Sequence, residues 1–181
     1  MSYLVESYLN ENGNTVNVFY DDCPESPREW CNLGKFLVPG RCKYAENESA
    51  IHLNWDNLEE DEKTLKASGA VFLPVFVLDH SGVKFSTGSF GDPWDSGQIG
   101  FYVVERDDLK KEFPTWKRLS KKRLDQLKRI MRAEVDVFSD YVDGNVYGYT
   151  VTDPTGAELD SCWGYYGFSG LDDLKATAAS I

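Results

Sequence analysis

The longest periodic pattern in the chain belongs to a helix. Leu124, Leu127, Met131, Val135, Phe138 and Val142 recur at three- and four-residue steps, and Ile130, Val137 and Tyr141 widen the stripe. Ser120 stands where an N-cap belongs, and Gly144 where a left-handed residue ends a helix. The spacing predicts one long helix over about 120–142. A short helix is expected near 58–67, with Glu59, Glu60, Asp61 and Glu62 complementing the helix dipole. Another is expected near 169–179, opening at Ser169 with Asp172 three residues on.

The strand patterns are shorter. Thr15–Tyr20 alternates apolar with polar residues. Ala70–Leu78 is an almost continuous apolar run, which predicts a strand buried on both faces, with Pro74 marking an edge or a bulge. Asp79-His80-Ser81-Gly82 reads as a turn into a return strand at Val83–Ser86, and Gln98–Val104 as a further strand. Val146–Thr152 and Glu158–Trp163 are joined by Asp153-Pro154-Thr155-Gly156, a type I turn. The expectation is an α+β fold: a mainly antiparallel sheet of five or six strands packed against the long helix. No repeat or linker interrupts the chain, so 1–181 reads as a single globular domain.

Composition excludes some classes. Apolar residues make up 41% and aromatics 14%, too much for a disordered acidic chain. No run approaches about 18–20 apolar residues, so no membrane is expected as a partner. Met1–Glu6 lacks the basic and apolar regions of a signal peptide, which reads as cytoplasmic. Cys23, Cys31, Cys42 and Cys162 are then expected as free thiols. The cysteine gaps form no C-x-x-C pair, and His52 and His80 lie far apart. There is no phosphate-binding glycine loop, so no metal or cofactor is expected.

Charge changes the picture more. The net charge is −11, which excludes a uniformly basic nucleic-acid binder. It is unevenly spread: 106–132 holds 11 of the 19 Lys+Arg but only 4 of the 30 Asp+Glu. Lys117, Arg118, Lys121, Lys122 and Arg123 cluster at the start of the long helix, the wrong end for cations, at about 0.3–1 kcal/mol each. Either an anion such as a nucleic-acid backbone binds there, or the cations pair with carboxylates elsewhere. The acidic remainder, including Asp21, Asp22, Glu25 and Glu29, either aids solubility or occupies a basic groove on a partner.

Three motifs carry candidate chemistry: Ser26-Pro27-Arg28-Glu29-Trp30 with Asn32-Leu33-Gly34; Asp92-Pro93-Trp94-Asp95-Ser96-Gly97-Gln98; and Cys162-Trp163-Gly164-Tyr165-Tyr166-Gly167. The second is densest in polar groups. Asp92, Asp95, Ser96 and His80 are candidate catalytic residues, with Asp79 or Asp92 completing a Ser–His–Asp arrangement. Against this, Ser96 is not in a nucleophile elbow, and a structural loop with Trp94 packed into the core is the alternative. Arg28, Glu29, Trp30, Trp94 and Gln98 are candidate binding residues. Arg28 reads equally as an anion ligand or as part of an ion pair over the indole. Cys162 reads as a buried, small apolar residue.

Together these motifs resemble those of an uncharacterised family of phage, prophage and other mobile-element proteins, over about 16–167. That family has no established activity, so the resemblance implies context only. The expectation is a binding protein of the host cytosol that modulates a host protein, such as an anti-defence inhibitor of restriction or CRISPR machinery acting through an acidic surface. An enzyme is the less favoured reading. The alternatives are a small hydrolase using the Asp92–Gln98 loop with His80, and a nucleic-acid-binding module using 106–132.

Overall fold

The computed structural model describes residues 2–181. The fold is α+β with antiparallel sheets, and the long helix is α3 (Lys121–Val142). Among the described residues, the expected single sheet of five or six strands is instead eight strands in two four-stranded sheets, with four α-helices. The chain divides into two compact units: 1–29 with 140–181, and 30–139.

The first unit holds β1 (Leu4–Leu9), β2 (Thr15–Tyr20), β7 (Val146–Thr152), β8 (Glu158–Tyr166) and α4 (Gly167–Ala178). The sheet order is β1-β2-β7-β8, antiparallel throughout. Val16 and Val18 alternate with polar residues on β2, so they share a face with Tyr147, Tyr149 and Val151 of β7. Leu174 and Ala178 of α4 close that core. The Asp153–Gly156 turn forms as its sequence requires, with Gly156 N–H donating to Asp153 O (2.9 Å) and Gly156 at φ +86°. The β1–β2 turn is rich in asparagine. Asn10 donates to Ala178 O, the last carbonyl of α4, and the Asn10, Asn12 and Asn14 amides all donate to Ile181 O beyond it.

Burial is the first cause that raises the phenol pKa of Tyr8, Tyr147, Tyr149, Tyr165 and Tyr166, all in this unit. The fold therefore holds the protonated phenol. Its contribution is whole below the ordinary value of 10.0 and is lost as pH rises through the raised folded values. In an alkaline titration, part of the tyrosinate absorbance should appear only together with loss of circular dichroism, above pH 10. Smooth ionisation of all ten tyrosines at unchanged dichroism would contradict this.

The second unit orders its sheet β3-β6-β4-β5, from β3 (Lys35–Leu37), β4 (Val71–Asp79), β5 (Val83–Ser86) and β6 (Ser96–Val104). Both faces are covered, as the apolar run of β4 implies. Leu37, Phe101 and Val103 pack with Leu65 of α1 (Leu58–Ser68). On the other face Phe36 and Phe85 meet Phe138 of α3 (Lys121–Val142) at 4.8 and 5.1 Å between ring centroids. Leu127, Met131, Val135 and Phe138 are the buried stripe of α3. Pro74 sits where β5 does not reach, since β5 pairs only with Phe76–Asp79, and a bulge follows at Val75/Phe76. A short helix absent from the sequence expectation, α2 (Arg106–Glu112), follows β6.

Candidate functional site

Four sequence candidates do come together, where β4 and β5 turn back towards β6. Asp79 N–H donates to Asp95 O at 2.9 Å. Asp92 Oδ1 accepts from Trp94 N (2.8 Å) and Asp95 N (3.1 Å), and these bonds hold its carboxyl below the ordinary value. Ser96 Oγ donates to the Asp92 carbonyl. His80 Nδ1 bonds Asp95 Oδ2 at 2.7 Å.

The connections are not those of a nucleophile. The Ser96 hydroxyl is taken up by a main-chain carbonyl, and among the described residues no hydrogen bond joins it to His80. Asp79 turns away to accept from Tyr44 Oη, with Lys43 Nζ at 3.2 Å. What this network achieves is a fixed loop with Trp94 at its tip. Trp94 is 91% exposed rather than packed in the core, because the Asp92-closed turn carries Pro93 and Trp94 outward. Gln98 lies past this loop, its amide on Gly100 O (3.3 Å), in a groove of about 520 Å³ with Tyr44, Trp55, Arg41 and Lys43.

The first motif is split. Arg28, half-buried, and Glu29, exposed, lie on a single 3-10 turn of the first unit, whereas Trp30 opens the second and is exposed. The Asn32-Leu33-Gly34 end has a structural partner that the sequence did not announce. Glu134 of α3 accepts from Leu33 N (2.7 Å), Gly34 N (3.0 Å) and Tyr102 Oη (2.9 Å). Gly34 is required because a Cβ there would lie 2.1 Å from the Tyr102 ring.

In the third motif Cys162 is exposed, not buried, since β8 is an edge strand. All four cysteines are free thiols. Gly164, at φ +83°, is the extra residue of a bulge, and the Trp163 indole lies against Gly148.

The basic segment keeps its charge. Arg123 donates to Arg118 O (2.9 Å) and lies 5.0 Å over the Trp116 ring. Among the described residues Lys117, Arg118, Lys121 and Lys122 form no ion pair, so pairing with distant carboxylates does not explain them. No three His, Cys, Asp or Glu side chains among the described residues could hold a metal ion. No described helix is long and apolar enough to cross a membrane.

The two units also partition the charge. The first carries 2 Lys+Arg against 13 Asp+Glu, and the second 17 of each, so the whole −11 belongs to the first unit. No family model, curated protein or solved structure matches the chain. The residues themselves therefore carry the functional argument.

Proposed function

We propose that this chain is a binding protein that docks a basic surface of a host protein, in the manner of an anti-defence inhibitor from a phage or mobile element. One observation carries the reading: the entire net charge of −11 is concentrated on the first unit. Lys175, with Glu6 at 2.6 Å, is one of only two Lys or Arg residues there, against 13 Asp and Glu. Such a surface speeds encounter with a cationic groove and discriminates against acidic partners. The loop network, which binds the Ser96 hydroxyl to a carbonyl, favours a binding role over hydrolysis.

The test is capture from host lysate on the immobilised chain at low and high salt, beside a variant with Asp21, Asp22, Glu25 and Glu29 changed to Asn or Gln. These positions are half-buried or exposed. The parent should retain a partner that about 0.5 M salt releases, because screening shortens the Debye length several-fold. The variant should retain at most about a tenth as much. A partner held equally by both proteins, or none at any salt, ends the proposal.

A further inference from the structure

A recess of about 300 Å³ opens beside α2 and the segment leading into α3, wholly within the second unit. Arg106, Lys110, Lys117 and Arg118 line it with Trp116 and two leucines, and no Asp or Glu does. That is unexpected in a unit with as many acids as bases. Lys110 bonds Asp107 at 2.8 Å. Arg106, Lys117 and Arg118 side chains have no carboxylate partner among the described residues. Asp108, on the same helix, is turned to Lys35 at 2.6 Å instead.

Three cations without a carboxylate partner, beside the Lys110–Asp107 pair, repel one another unless a counter-charge joins them. Arg presents a planar fork of N–H donors and Lys a compact ammonium, a combination suited to phosphate oxygens. The indole of Trp116 is already engaged, stacked on Phe113 at 4.0 Å and 14° with Arg123 over its ring. It acts as a wall and not as a free platform for a nucleobase. Selection therefore falls on charge, and several cations answer to several negative oxygens better than to a single carboxylate.

We infer that this recess binds adjacent phosphate groups, either of a small polyphosphorylated molecule or along a nucleic-acid backbone. The inference does not depend on the acidic unit or its partner.

The experiment uses the full chain at about 50 mM salt, with two probes: inorganic pyrophosphate by titration calorimetry, and a fluorescent oligothymidylate by anisotropy. Arg118→Glu is compared with Lys63→Glu, which makes the same change in net charge on an exposed position of α1. Arg118→Glu should weaken binding by about tenfold or more and Lys63→Glu by less than about twofold, with unchanged thermal melting. Pyrophosphate that binds and displaces the oligonucleotide supports one recess for both sources. Oligonucleotide binding alone assigns the recess to a backbone, and pyrophosphate binding alone to a small ligand. Binding of neither probe, or equal losses in the two variants, overturns the inference.

Discussion

Glu134→Leu is expected to destabilise the second unit by about 3 kcal/mol, lowering its melting temperature by roughly 10 °C. The carboxylate accepts three hydrogen bonds, two of them from successive backbone amides, Leu33 and Gly34. Leucine keeps the bulk and removes the carboxylate, so three donors lose a charge-assisted hydrogen bond in a half-buried place. Glu134→Gln retains one carbonyl oxygen but turns an NH₂ towards a donor, so it should lose about half as much. Gly34→Ala attacks the same cluster from the other side, by driving a methyl into the Tyr102 ring. The two substitutions share partners, so their combined cost should fall short of the sum. Thermal unfolding followed by circular dichroism decides it. A Glu134→Leu protein within about 0.5 kcal/mol of the parent would show that the clamp is dispensable.

Asp61→Ala should cost about 2–4 kcal/mol in urea unfolding. Asp61 is only 2% exposed, yet it lies in the first turn of α1 and accepts from Asn54 N (2.9 Å) and Trp55 N (3.1 Å). The partial positive charge of the helix start and the two amides together make burial of the carboxylate tolerable. Trp55 is held at φ +65°, a conformation that costs a non-glycine residue about 1–2 kcal/mol. Without Asp61 only packing against the Leu37–Leu65 cluster opposes that strain, so Trp55 should relax and its near-ultraviolet dichroism should change before global unfolding. A variant with native stability and an unchanged aromatic spectrum would refute the role of this carboxylate.

The parts that were legible in the sequence are those whose causes are local. The stripe of α3, the Gly144 stop and the Asp153–Gly156 turn each lie within one short window of residues. The existence of two sheets was not legible. The pairing of β2 with β7 spans more than a hundred residues and leaves no local trace. β1 was missed because its residues are mostly exposed and lack clean alternation, β3 because it has three residues, and α2 because its seven residues have no side-chain cap. In the site, the residues of the Asp92–Ser96 loop were legible as a group, because turn residues cluster there. The outward Trp94 was not, since an indole is by default assigned to a core. Glu134 looked like one more polar residue on a solvated helix face, and its amide partners are about 100 positions away.

The asparagine turn of the first unit bears on the order in which the chain acquires its structure. Asn10 bonds the carbonyl of Ala178, 168 positions later, and β2 cannot meet β7 until everything between them has been made. Residues 30–139 include all four strands of their own sheet and can condense while the first 29 residues wait as an unpaired hairpin. Closing the first unit is then a search across a long loop, so it should be the slow phase of refolding. The acidic unit should then be the last to form, with β1–β2 the segment that waits longest for its neighbour strand.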